Sequence, residues 1–225
     1  MSIDWSPLWL SLRVAAISTL VSVVLGVALA WLLAHRNFRG RDVLDAGVML
    51  PLVLPPTVLG YYLLVLLGRQ SALGQIYESV FGQPLVFTWQ AAVVAAMFHS
   101  LPLLVKWSRS ALESVDHSYE WAARSLGASE WRTFWRVSLP LAGRSILAAA
   151  ALSFARALGD FGVTIMIAGN IPGQTQTVSV AIYDAVESGN GTLARTLVIV
   201  VSLTAILILT LANRISRPEP AEASK

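Results

Sequence analysis

Five apolar stretches, at about residues 8–34, 48–67, 89–106, 145–168 and 193–212, alternate with polar connections along the chain. Each comes close to or exceeds the roughly 20 residues that a helix needs to cross a bilayer. The pattern predicts an all-α integral membrane protein with five transmembrane helices. The connection over residues 169–192 is too polar to span, and within it VSVAIYDAV predicts a short helix near the outer surface. The segment 117–140 is polar, and rich in arginine and tryptophan. We expect residues 1–215 to form one membrane domain and SRPEPAEASK, over 216–225, a disordered tail.

Basic residues orient these spans. Arg36, Arg39 and Arg41 lie in the first connection, and Lys106, Arg109, Arg124, Arg132, Arg136 and Arg144 in the third. Arg214, Arg217 and Lys225 lie in the tail. With five spans all twelve fall on one side, so that side is cytoplasmic, the N-terminus is outside and the C-terminus inside. The segment 117–140 is then cytoplasmic.

Composition agrees. The 225 residues are 56% hydrophobic and only 13% charged, with a mean hydropathy of +0.65. There is no cysteine, so thiolate and disulfide chemistry are excluded. The net charge of +3 is carried by the connections, and no nucleic-acid partner is expected. The first residues, MSIDWSPLWL, lack a basic region, so the first apolar stretch reads as a retained span.

The segment EWAARSLGASEWRTFWRVSLP, from Glu120 to Pro140, predicts two short helices. Gly127 suits a left-handed residue just past the first, and Ser129 suits an N-cap for the second, with Glu130 in its first turn. Pro140 is expected to stop the second helix. At helical spacing Trp131, Phe134, Trp135 and Ser138 share a face. Such a segment can rest on lipid headgroups as an interfacial helix, or dock into a groove of a cytoplasmic partner.

The apolar stretches carry their own exceptions. Pro51, Pro55 and Pro56 predict a bent second span, with Thr57 available for hydrogen bonds. Arg156 and Asp160 stand at i,i+4 and are expected to neutralise each other as a structural or gating pair. With Thr164 these are the candidate path or gate residues. His99 reads as a packed or hydrogen-bonded helix residue, with a proton relay as the alternative. Arg13 is expected to snorkel. Neither lysine follows a glycine, so no phosphate-binding G-x-x-x-x-G-K-[ST] loop exists, and the histidines lack metal-ligand spacing. The chain is not expected to be an enzyme by itself.

Residues 120–140 resemble the EAA loop of ATP-binding-cassette importer permeases. That loop has an acidic residue, two alanines, a glycine, and an aliphatic residue before x-Leu-Pro. Glu120, Ala122, Ala123, Gly127, Val137, Leu139 and Pro140 carry the likeness. Trp121 stands where the family has its glutamate, and Glu120 precedes it. ARALGDFG, NIPGQTQT and LPLVLPPTVLGYYLLVLLGRQSALG are similar to the permeases of molybdate importers, over nearly the whole chain. The resemblance implies a type I importer permease fold with a cytoplasmic coupling helix. It implies a homodimer, a separate cytoplasmic ATPase dimer that uses ATP and Mg, a periplasmic oxyanion-binding protein, and a bacterial plasma membrane. No cofactor is expected on this chain itself. Sulfate, thiosulfate or tungstate are alternative cargoes, and a secondary transporter or a membrane scaffold are the competing classes.

Overall fold

The computed structural model describes residues 4–216, all helical apart from connections. In chain order the helices are α1 (Ser6–His35), α2 (Arg41–Val53), α3 (Pro56–Leu67), α4 (Ala72–Phe81), α5 (Trp89–Glu113) and α6 (His117–Ser125). Then come α7 (Glu130–Thr133), a π turn (Phe134–Ser138), α8 (Leu139–Leu158), α9 (Gly162–Ile167), α10 (Val178–Glu187) and α11 (Gly191–Ser216). Among the described residues four helical stretches are long and apolar enough to cross a membrane, or five if the bent pair α2–α3 is one span. The tail expected at 216–225 lies, beyond Ser216, outside the described residues.

The centre of the bundle is α1 against α5, with α8 packed on both. Small residues make this approach possible: Ser11, Ala15, Ser18, Ser22, Gly26 and Ala30 form the buried stripe of α1. Ala91, Ala92, Ala95, Ala96 and Ser100 do the same on α5. With lipid outside rather than water, close van der Waals contact between such stripes is what holds helices together. A methyl group on Gly26 would stand 2.6 Å from Leu104 Cδ2. One core cluster includes Val14, Leu59, Leu63, Leu158, Val163 and Ile167. A second, further along α1, includes Leu33, Val105, Leu112, Phe134 and Ile146.

The expected second span is two helices. α2 and α3 meet at 114°. Leu54, which precedes a proline, is extended at ψ 141°, as steric pressure from the proline ring requires. Pro55 and Pro56 offer no backbone N–H to continue the ladder. The expected fourth span is also interrupted. α8 ends at Leu158, Gly159 caps it, and α9 starts afresh at Gly162.

At its other end the fourth span is longer than expected. Pro140 does not stop a helix: α7, the π turn and α8 form one run, Glu130–Leu158, of 29 residues. The Leu139 N–H donates to the Phe134 carbonyl five residues back. This wider turn gives the missing Pro140 N–H and its ring a place without breaking the rod. The short helix expected in VSVAIYDAV is α10, with Val178, Val180 and Ala181 buried. Helix α4, capped by the Ser71 hydroxyl accepting from the Gly74 N–H at 2.9 Å, was not anticipated.

Candidate functional site

The segment 117–140 is built as the sequence suggests at its bend and differently around it. Asp116 caps α6 by accepting from the Ser118 N–H at 2.8 Å. Gly127 takes the left-handed conformation at φ +83°, and the Ala128 N–H closes the helix end on the Ala123 carbonyl at 3.1 Å. Ser129 then caps α7, its hydroxyl accepting from the Arg132 N–H. Of the expected shared face, Trp131, Phe134 and Trp135 pack ring against ring, Phe134 lying 6.0 Å from Trp131 and 5.5 Å from Trp135 between centroids. Within it Phe134 and Ser138 are buried while Trp131 and Trp135 stay exposed. The two indoles touch edge to face, 5.6 Å between centroids. Ala122 and Pro140 are exposed, and Ala123, Val137 and Leu139 are half-buried.

Glu120 is the hub of this segment, at only 3% exposure. Its Oε1 accepts from the Ser138 hydroxyl at 2.6 Å and faces His35 Nε2 at 3.2 Å. Its Oε2 lies 3.4 Å from Arg124 Nη2 and 3.6 Å from His117 Nδ1. The other His35 nitrogen faces the Trp31 carbonyl at 3.3 Å, so only the doubly protonated ring donates to both oxygens. Burial alone pushes the Glu120 carboxyl up. The hydrogen bonds from Ser138 and His35, the charge of His35 and the bond from His117 outweigh it, and the carboxyl sits below its ordinary value. One residue earlier than the family pattern, Glu120 thus ties α6 to the end of α1 and to the π turn. Trp121, at the pattern's glutamate position, points outward at 67% exposure. Arg36 adds an exposed link to Glu130 at 2.5 Å.

The second group of candidates surrounds the helix breaks. The expected Arg156–Asp160 pair does not form among the described residues. Asp160 lies beyond the end of α8, so helical i,i+4 geometry does not reach it. His99 of α5 stands between them instead. Its Nδ1 lies 2.6 Å from Asp160 Oδ1, and its Nε2 meets Arg156 Nη2. Asp160 Oδ2 accepts from the Thr164 hydroxyl at 2.5 Å and from the Thr164 N–H at 3.1 Å, which holds the first turn of α9. Arg156, Asp160 and Thr164 are therefore brought together, with His99 as their link. Pro55, Pro56 and Thr57 are exposed at the start of α3. They are not part of that cluster, but the two breaks adjoin: a methyl on Gly162 would stand 2.6 Å from Pro56 Cβ. Arg13 is exposed, and its guanidinium lies 3.9 Å above the Trp89 ring.

Residues 22–217 match the family described as binding-protein-dependent transport system inner membrane component. The chain belongs to this family. The permease is 43% identical to the molybdenum transport system permease protein ModB of Escherichia coli K12 over 208 residues, covering 92% of this chain and 91% of that one. It is 37% identical over 204 residues to a Chlorella vulgaris protein named "Probable sulfate transport system permease protein cysT", covering 91% of this chain and 76% of that one. Its fold matches a solved structure of the MetNI methionine ABC transporter in an inward-facing conformation, with a TM-score of 0.73 at 19% identity over 94% of this chain and 93% of that one. The permease is thus an all-α, multi-spanning inner-membrane transport component with a type I importer fold.

Proposed function

We propose that this permease is the membrane-spanning subunit of an ATP-driven molybdate importer. The observation that carries the cargo is the 43% identity to a molybdenum permease across nine-tenths of both chains. In this reading two copies enclose the path, two cytoplasmic ATPase subunits bind ATP and Mg, and a periplasmic oxyanion-binding protein delivers the anion. There are five spans, with α2–α3 crossing as one broken span, the N-terminus outside and the C-terminus in the cytoplasm. The basic connections support that orientation.

Residues 117–140 act as the coupling helix. Exposed Trp121, Trp131 and Trp135 present an apolar knob beside Gly127, suited to a cleft on the ATPase. Closure of the ATPase dimer moves the knob, and two links carry the movement inward. The continuous rod Glu130–Leu158 leads to the Gly159 break, and the Glu120–His35 contact leads into α1. Pro55, Pro56, Thr57, Arg156, Asp160 and Thr164, grouped around the two breaks, form the gate of the path. Irregular backbone at membrane depth is tolerated where protein or water covers it, which suits a pathway wall.

Sulfate is the second reading of the cargo, favoured by the 37% identity to the cysT protein. The test is uptake of labelled molybdate, with sulfate in parallel, in proteoliposomes holding the permease, its ATPase and the cognate binding protein. ATP-dependent molybdate accumulation that excess sulfate leaves unchanged is expected. ATP-dependent sulfate accumulation alone overturns the cargo, and uptake indifferent to ATP overturns the class.

A further inference from the structure

The chain Arg156–His99–Asp160 has ends that are treated in opposite ways. Asp160 is 2% exposed, and both its carboxylate oxygens are occupied, Oδ1 by His99 and Oδ2 by Thr164. Arg156 is half-buried. Its contacts among the described residues run through Nη2 to the His99 ring, which leaves its Nε and Nη1 donors unengaged. A guanidinium only donates and a carboxylate only accepts, and the His99 ring stands between the two. His99 is a spacer. It holds the cation away from the carboxylate that would otherwise take its charge and its planar fork.

The place of this cation is also particular. Arg156 lies in the last turn of α8, just before the Gly159 break. The Pro55–Pro56 break of α3 lies alongside, through the Pro56–Gly162 contact. The negative end is buried and the positive end half-buried, so of the two charges Arg156 is the one a solute can reach.

We propose that Arg156 is a transit contact for a tetrahedral oxyanion, and that His99 is the positioning residue that keeps its guanidinium from collapsing onto Asp160. This rests on the oxyanion-importer reading above. A planar fork matches two oxygens of such an anion. A single cation, partly offset by the nearby carboxylate, binds weakly enough for release, as conduction requires.

The experiment uses the complete complex in proteoliposomes, with labelled molybdate as the probe, and follows ATP hydrolysis beside uptake. Arg156→Gln is expected to lower uptake about tenfold while hydrolysis stimulated by the binding protein changes less than about twofold. His99→Phe is expected to lower uptake likewise, because Arg156 then falls onto Asp160. The double variant His99→Phe/Asp160→Asn is expected to recover part of the loss, since a neutral amide holds the guanidinium far less strongly than a carboxylate does. A merely structural role for His99 makes the double variant worse than the single one. Wild-type uptake by Arg156→Gln overturns the proposal. Where Arg156→Gln does not assemble, the other pair decides: recovery in the double variant supports the proposal and no recovery overturns it. Failure of the wild-type complex to accumulate any oxyanion with ATP sinks the importer reading itself, and the Arg156 proposal with it.

Discussion

Ser138 donates its hydroxyl hydrogen to Glu120 Oε1 at 2.6 Å, across 18 residues and with both side chains buried. This bond fastens the π turn to α6, so the bend at Gly127 is closed on itself like a clasp. A hydrogen bond to a charged group contributes about 1.5–3 kcal/mol. Ser138→Ala is therefore expected to destabilise the segment by about 2 kcal/mol. Amide hydrogen exchange over residues 117–140 should speed up, while exchange in the α1–α5 core is unchanged. Unchanged exchange over 117–140 would mean that the clasp does not hold the segment.

The same carboxylate gives the segment an acid limit. The Glu120 carboxyl in the folded protein sits below its ordinary value of 4.5. A depressed carboxylate contributes stability that is fully present above the ordinary value and is lost as pH falls through the folded one. Protection from exchange over 117–140, taken relative to the intrinsic rate at each pH, is expected to be flat on this account from neutral pH down to about 4.5, then to fall in more acid solution, which speeds exchange relative to that rate. Glu120→Gln should remove that acid-dependent fall. Persistence of the same fall in Glu120→Gln would assign it to another group.

Much of this architecture is legible in the sequence, because long apolar stretches can do little in a bilayer except span it. The caps are legible too: Gly127 and Ser129 act locally, and their chemistry needs no partner from afar. What the sequence hides is register and distance. The π turn adds a single residue to one helical turn, and no periodicity announces it, yet through it the rod continues past Pro140. Pro140 suggests a stop because its tolerance depends on that turn. Arg156 and Asp160 suggest a pair because they stand four positions apart, but α8 ends between them. The true intermediary, His99, is 61 residues from Asp160. Glu120 offered a partial signal, with His117 and Arg124 at helical spacing, but its strongest partners, Ser138 and His35, come from other elements.

Gly127 separates strain from docking. Its φ of +83° disfavours any side chain, yet a methyl group there would meet nothing within 4 Å in this chain. Gly127→Ala is expected to cost about 1–2 kcal/mol through the backbone alone. Gly127→Leu should cost the isolated permease about the same. In the assembled transporter the two variants should diverge: a leucine crowds the partner's cleft and uncouples uptake from hydrolysis, while alanine impairs it less. Melting of the isolated permease and the ratio of uptake to hydrolysis in the complex measure the two effects. Equal coupling in both variants would count against docking at this glycine.

The junction of the two helix breaks makes a sharper claim about space. At Gly162 the backbone is not left-handed, but a methyl group would stand 2.6 Å from Pro56 Cβ. That carbon belongs to a ring and cannot swing aside, so α3 and α9 must part. Overpacking of this kind costs about 1–3 kcal/mol. Gly143, in α8, is the control, since a methyl there would meet nothing within 4 Å. Gly143→Ala removes a flexible residue from a helix and is expected to stabilise by up to about 1 kcal/mol. Thermal melting of the two variants should therefore shift in opposite directions. If the breaks are the gate, Gly162→Ala should also slow transport more than its loss of stability accounts for, because the wedge sits where the two broken helices bear on each other. A Gly162→Ala permease that melts and transports like the wild type would show that this contact is loose, and that neither the packing of α3 on α9 nor the gate depends on it.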